Sequence, residues 1–152
     1  NPKFIASDDW PCGVNYGAFH ALEKLFIRHP YAALTRFFTL QGQGLEREDR
    51  KQLLALKKQA ESVPLEILLR DLNQLGSTDQ REMISKLTAP QLNIFGSEDR
   101  LVPPIVAEQL KHLSPHAQNV TIKGAGHVLL LSHVTECLTS IHQFINESII
   151  IK

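Results

Sequence analysis

From Tyr16 to about Leu75, apolar residues recur at helical spacing: Phe19, Leu22, Leu25 and Phe26, then Leu34, Phe37, Phe38 and Leu40, then Leu53, Leu54 and Leu56. Pro30 and Pro64 stand where new helices open, and Gly42 and Gly44 separate two of the runs. The pattern predicts several antiparallel helices with short connections, and residues 79–87 read as one more short helix.

Beyond Pro90 the period changes. Residues 91–95, ending at Gly96, read as a short strand, and Pro103-Pro104 opens a helix carrying Val106, Leu110 and Leu113. Residues 119–122 read as a second strand, followed by Gly124-Ala125-Gly126-His127. The last helix, from about 133 to 146, puts Val134, Leu138, Ile141 and Ile145 on one stripe. Strands alternating with helices imply a parallel sheet and an α/β fold, yet two strands are too few to cover both faces of such a sheet. The remaining strands are expected to come from elsewhere. Three parts follow: a link over residues 1–15, a helical cap over 16–87, and a piece of a sheet-and-helix core over 88–152.

Composition excludes more than it identifies. With 43% apolar and 21% charged residues, the 152-residue chain is ordinary globular material. Lys plus Arg equals Asp plus Glu at 16 each, so no global field draws it to nucleic acid or an anionic membrane. The apolar stretches 128–131 and 149–151 fall far short of the roughly 20 residues of a membrane helix, so a soluble protein is expected. Cys12 and Cys137 have no metal-type spacing and suggest no disulfide framework, which favours a reduced, cytoplasmic setting. The chain opens on Asn1-Pro2-Lys3, its single methionine is Met83, and it reads as the remainder of something longer.

In open α/β sheets, functional side chains collect beyond the carboxyl ends of the strands. Two candidates stand there. Asp99 lies in Phe95-Gly96-Ser97-Glu98-Asp99-Arg100-Leu101-Val102-Pro103, just past the first strand, and His127 follows the second. One helix and one strand separate them, so both loops are expected at the same edge. A histidine that takes a proton from a hydroxyl needs its other ring nitrogen fixed by a carboxylate, and this pair suits those roles. The plainer alternative is that Asp99 caps the helix at Pro103-Pro104 and that His127 is an ordinary loop histidine.

Strand-Gly-x-x-Asp-x-x-x-Pro followed by Gly-x-x-His resembles the end of the α/β-hydrolase fold, where chain order is serine, acid, histidine. More narrowly, Pro2-Lys3-Phe4, Asp8-Asp9-Trp10-Pro11, Arg36-Phe37-Phe38-Thr39-Leu40-Gln41, Ala55-Leu56-Lys57-Lys58 and Leu101-Val102-Pro103 resemble the pimeloyl-[acyl-carrier protein] methyl ester esterase family of biotin synthesis. The likeness runs along nearly the whole chain. It implies the C-terminal part of a hydrolase that cleaves an ester on an acyl-carrier protein through an acyl-enzyme, without a cofactor or metal. By the match, Asp99 is the orienting acid and His127 the general base. Leu22 and Phe37 match cap positions lining the acyl channel, with Phe4 and Trp10 near its base, although all four also fit plain cap core. Arg36 and Arg50 match basic cap positions facing the carrier, whereas two further arginine positions are here Ala32 and Leu54. Arg28, Arg47, Lys51, Lys57 and Lys58 offer substitutes, or are simply solvated helix faces.

A serine hydrolase of this fold needs a Gly-x-Ser-x-Gly elbow, and none of the serines, including Ser7, Ser97 and Ser132, sits in one. The nucleophile is expected in an N-terminal half upstream of Asn1, so this chain alone should not hydrolyse esters. Two other readings stand beside this one. The same acid and histidine would serve a different ester, thioester or lactone hydrolase; or the cap is a non-catalytic module that dimerises or docks on a carrier.

Overall fold

The computed structural model describes residues 1–150; residues 151–152, the end of the expected core segment, lie outside the described residues. Residues 2–14 fold back on themselves: Val14 N donates to Phe4 O at 2.7 Å, Ala6 N to Val14 O at 2.9 Å, and Ser7 and Trp10 exchange backbone bonds. Trp10 and Cys12 from this loop enter one apolar core, while Phe4, Ile5 and Val14 pack on another. Arg81 clamps the loop from outside. Its guanidinium meets Asp79 at 2.7 Å and Asp9 at 2.8 Å and lies over the Trp10 ring at 5.6 Å.

The helical expectation holds closely. Helices α1 (Tyr16–Arg28), α2 (Pro30–Gln41), α3 (Arg47–Ala60) and α4 (Leu65–Ser77) follow one another with short connections. Asn15 caps α1 by accepting from Ala18 N at 3.2 Å, and Pro30 occupies the first turn of α2, where its missing N–H is no loss. α1 packs on α2 and α4, and α2 on α3. Phe19, Phe26, Ala33, Leu34 and Leu72 form the buried centre of this cap. In α3 only Leu53 is buried; Leu54 and Leu56 are exposed, because the partner helix covers one face alone. α5 (Arg81–Ser85) packs on α6 rather than on the cap bundle, and Ile84 reaches the Trp10 cluster.

Strands β1 (Leu92–Gly96) and β2 (Gln118–Ile122) pair in parallel, Leu92 opposite Gln118 and Gly96 opposite Ile122, with α6 (Ile105–Leu113) between them in sequence. Phe95, Val106, Ala107 and Leu110 join Trp10 and Cys12 on one side; Ile122, Ala125 and Cys137 form a smaller cluster. Both cysteines are free and buried, and burial pushes both thiols up.

The apolar run 128–131 forms a short helix, α7 (Leu129–Ser132), absent from the sequence reading, before α8 (Val134–Ile150). The apolar stripe expected on α8 is left largely uncovered. Cys137 is the residue fully buried there, whereas Val134, Leu138 and Ile145 are 46%, 48% and 45% exposed. A two-stranded sheet is too narrow to cover the helix, so one row of contacts is made and the apolar stripe beside it is left open. Among the described residues, no helix is long and apolar enough to cross a membrane.

Candidate active site

Because β1 and β2 end in register, their following loops leave the sheet side by side and are joined by hydrogen bonds. Ser97 N donates to Ile122 O at 3.0 Å, Glu98 N to Ala125 O at 2.9 Å, and Gly124 N to Ser97 Oγ at 2.9 Å. Glycine is required at position 96. A Cβ there would stand 2.3 Å from Ala125 O and 2.5 Å from Gly126 O, inside any tolerable contact. This close seam carries Asp99 on one loop and His127 on the other.

The two carboxylate oxygens of Asp99 have different partners. Its Oδ1 accepts from Leu101 N at 2.8 Å and Val102 N at 2.9 Å, bracing the turn that leads into α6. Its Oδ2 meets His127 Nδ1 at 3.0 Å. Burial would raise the Asp99 carboxyl, but hydrogen bonding from His127 and from the Val102 and Leu101 amides outweighs it, and the group is held below the ordinary carboxylate range. An ionised carboxylate only accepts, so His127 must carry its proton on Nδ1, which leaves Nε2 as the basic nitrogen. The Asp99 side chain is 5% exposed and that of His127 28%: the carboxylate is enclosed and the imidazole remains reachable.

His127 borders an open apolar hollow of about 810 Å³ between the cap, the sheet face and α8. Leu92 and Ile94 line it from β1, Leu129 and Leu130 from α7, Ile141 and Phe144 from α8, and Gln41 and Leu56 from the cap. Gln41 and Leu56 stand in segments that carry the family resemblance, but the sequence reading gave neither a place at the site. Gln41 ends α2 one turn after Phe37, yet the two line different spaces, so that spacing gave no signal.

The other expected site residues lie apart from this hollow. Trp10 is buried in the core, and its Nε1 donates to Asn1 Oδ1 at 3.3 Å. Phe4 makes an edge contact with Phe19 at 6.1 Å, and Leu22 packs in the same cap cluster. Phe37 lines a separate cap cavity of about 300 Å³ with Phe26, Leu34 and Leu72. Arg36 and Arg50 are exposed, and Arg50 Nη2 donates to Leu45 O at 3.0 Å. Among the described residues, no group of three or more His, Cys, Asp or Glu side chains is placed to hold a metal ion.

Comparison with known proteins identifies the family and the fold. Residues 15–134 match the sequence family described as the alpha/beta hydrolase fold. The chain is 33% identical over 148 residues to the pimeloyl-[acyl-carrier protein] methyl ester esterase of Xanthomonas axonopodis pv. citri (strain 306), covering 95% of this chain and 58% of the relative. It is 30% identical over 150 residues to the enzyme of that name from Yersinia pseudotuberculosis serotype IB (strain PB1/+), covering 97% and 58%. The chain therefore spans a little over half the length of these relatives. Among solved structures it is similar to an esterase from Exiguobacterium antarcticum (TM-score 0.85, 16% identity, 95% of this chain and 53% of that one). It is similar also to a bromoperoxidase from Bacillus anthracis (TM-score 0.82, 22% identity, 95% and 54%). At these identities the structural likeness speaks for the fold.

Proposed function

The chain belongs to the α/β-hydrolase fold family, and from that premise we propose that it supplies the acid, the histidine and the helical cap of a carboxylic ester hydrolase. The observation that carries this is the bond from His127 Nδ1 to the enclosed Asp99 carboxylate, with the histidine at the mouth of an apolar hollow. The nucleophilic serine belongs to an N-terminal half that covers the open side of the hollow. His127 Nε2 takes the serine proton as the hydroxyl attacks the ester carbonyl, then returns it to the departing alcohol. Water repeats the sequence on the acyl-enzyme, and Asp99 keeps the ring in one tautomer throughout.

The names of the relatives support a narrower substrate, the methyl ester of a pimeloyl chain on acyl-carrier protein. Exposed Arg36 and Arg50 on the cap suit an acidic carrier. The acyl-channel roles of Phe4, Trp10, Leu22 and Phe37 rest on the resemblance, whereas Gln41 and Leu56 already border the hollow at His127. The exposed stripe of α8 favours one second reading, in which this face serves as a docking or dimerisation surface without catalysis.

The test is to co-express the chain with the N-terminal portion of the Xanthomonas axonopodis relative and follow methyl ester cleavage on acylated carrier by mass spectrometry. The complex should hydrolyse the ester, the chain alone should not, and His127→Ala in the complex should lower turnover by roughly 10³-fold or more. A well-formed complex with an intact serine and no hydrolysis sinks the proposal.

A further inference from the structure

The chain passes between the helical cap and the rest of the molecule at two necks, residues 14–16 leading into α1 and residues 77–79 leading out of α4. Both necks are tied at one place. Lys3 and Asp79 form an antiparallel bridge, and Gln80 N donates to Pro2 O at 2.8 Å. Around that bridge four charged side chains close a ring of alternating sign. Lys3 Nζ lies 3.5 Å from Asp9 and 3.6 Å from Asp79, while Arg81 Nη2 lies 2.8 Å from Asp9 and 2.7 Å from Asp79. Lys3 and Asp9 precede the cap in sequence and Asp79 and Arg81 follow its four helices, so two of the ring's edges cross from one neck to the other. Ser7 stiffens the entry side: its hydroxyl accepts from Lys3 Nζ at 2.7 Å and donates to Asp9 Oδ1 at 2.6 Å.

The ring stands between two cores. Trp10, under the Arg81 guanidinium, belongs to the cluster with Phe95 and α6, whereas Phe4, Ile5 and Val14 of the same loop pack on the cap cluster. Elsewhere the cap touches the loop of His127, where the Gln43 carbonyl would stand 2.9 Å from a Cβ on Gly126. The angle held at the necks therefore sets how the cap meets that loop, and how far Leu56 on the cap stands from Leu92 across the hollow. Acid is not the control. Hydrogen bonds from Ser7 and Arg81 hold the Asp9 carboxyl below the ordinary range, and Arg81 holds that of Asp79 down to about 2, so both stay ionised near neutral pH. Dissolved ions can reach the ring, because Asp9 is 66% exposed and Asp79 38%. The screening length falls from about 10 Å in ~0.1 M salt to about 3 Å in ~1 M, close to the length of the ring's edges. We propose that this ring is a salt-sensitive lock on the cap: closed, it holds the cap at one angle over the hollow, and screened or broken, it lets the cap rock about its two necks. The lock acts on the shape of the hollow whichever reaction takes place there, so it does not depend on the ester reading above.

Nuclear magnetic resonance of the isotopically labelled 152-residue chain, as sodium chloride rises from about 0.05 to ~1 M, reads the necks and the hollow together. The neck amides of Val14 and Gln80 should exchange about 2- to 30-fold faster at high salt, the range for two partly exposed charge pairs. Those of Leu34 in the cap and Leu110 in α6 should keep their rates. The Leu56 methyl signals should shift over the same range of salt, and those of Val106 in the core should not. Asp79→Arg with Arg81→Asp keeps composition and net charge but sets like charges against each other across both necks. This variant should show the fast neck exchange and the shifted Leu56 signals already at low salt, with no further acceleration as salt rises. Neck exchange that ignores salt, or equal acceleration at Leu34 and Leu110, overturns the lock. So do loosened necks with Leu56 unmoved, or a charge-exchanged variant that behaves as the unaltered chain does.

Discussion

Replacing Asp99 in two ways separates its two jobs. Asp99→Asn keeps an oxygen that can accept from Leu101 N and Val102 N, now at 2.8 and 2.9 Å, but places an N–H₂ opposite His127 Nδ1, now 3.0 Å from Oδ2. Two donors cannot face each other, so the ring must move its proton to Nε2 and accept at Nδ1. One charge-assisted bond becomes a neutral one, a loss of about 1 kcal/mol. Asp99→Ala instead strands two partly buried amides and the ring N–H and opens a small void, a loss of about 2–4 kcal/mol. Urea unfolding should rank the unaltered chain above the Asn variant and the Asn variant above the Ala variant. The imidazole ¹⁵N shifts in alkaline buffer should show the Nδ1–H form in the unaltered chain and the Nε2–H form in Asp99→Asn. An unchanged tautomer in the Asn variant, or an Ala variant as stable as the Asn one, refutes the assignment of Asp99 as the group that orients His127.

The depressed Asp99 carboxyl makes stability depend on acid. Near pH 4 the unfolded chain binds more protons than the folded one, so the stabilisation is complete above the ordinary carboxylate pKa of about 4 and is lost as pH falls through the lower folded value. Urea midpoints measured between pH 6 and about 2 should fall more steeply for the unaltered chain than for Asp99→Asn. Gly96→Ala forces a Cβ against two carbonyls and should cost about 3 kcal/mol, with loss of the His127 tautomer signal; a variant of normal stability contradicts the seam described at the ends of β1 and β2. Leu130 and Leu138, 67% and 48% exposed, should drive self-association of the isolated chain. Sedimentation at micromolar concentration should show a dimer or larger, Leu130→Asp with Leu138→Asp should return a monomer, and a monomeric unaltered chain refutes the idea. Arg81→Lys should not restore what Arg81→Ala loses in melting temperature, because only the planar fork can pair with Asp79 and Asp9 and also lie over Trp10.

The elements were legible because local signals decided them. Proline at the openings of α2 and α4, helical periodicity through the cap, and short apolar runs ending in glycine sufficed to place both strands and most helices. Short α7 was missed because four apolar residues have no period to read. The Asp99–His127 pair was legible for a topological reason: parallel strands in register deliver their following loops to one edge. What could not be read was which apolar residues border that edge. Phe37 and Gln41 lie on the same helix one turn apart, yet one enters the cap cavity and the other the hollow at His127. Helix rotation against its neighbours decides this, and it is fixed by packing of α2 against α1 and α3 rather than by any local sequence preference.

The same limit explains the stripe on α8. Periodicity reports that Val134, Leu138, Ile141 and Ile145 share a face, but not whether anything covers it. Within the described residues the helix contacts β1, β2 and α7 through a neighbouring row centred on Cys137, and the stripe stays open alongside the hollow that His127 borders. If His127 is the base proposed above, an apolar face continuous with it is a poor arrangement in water for two reasons. It exposes surface worth about 25 cal/mol per Å² if covered, and it leaves the base in a wet, high-dielectric setting where electrostatic catalysis is weak. One covering element answers both problems. Under the proposed function, the segment that brings the serine also buries the stripe and dries the site, so assembly of the sheet and assembly of the catalytic centre are the same event.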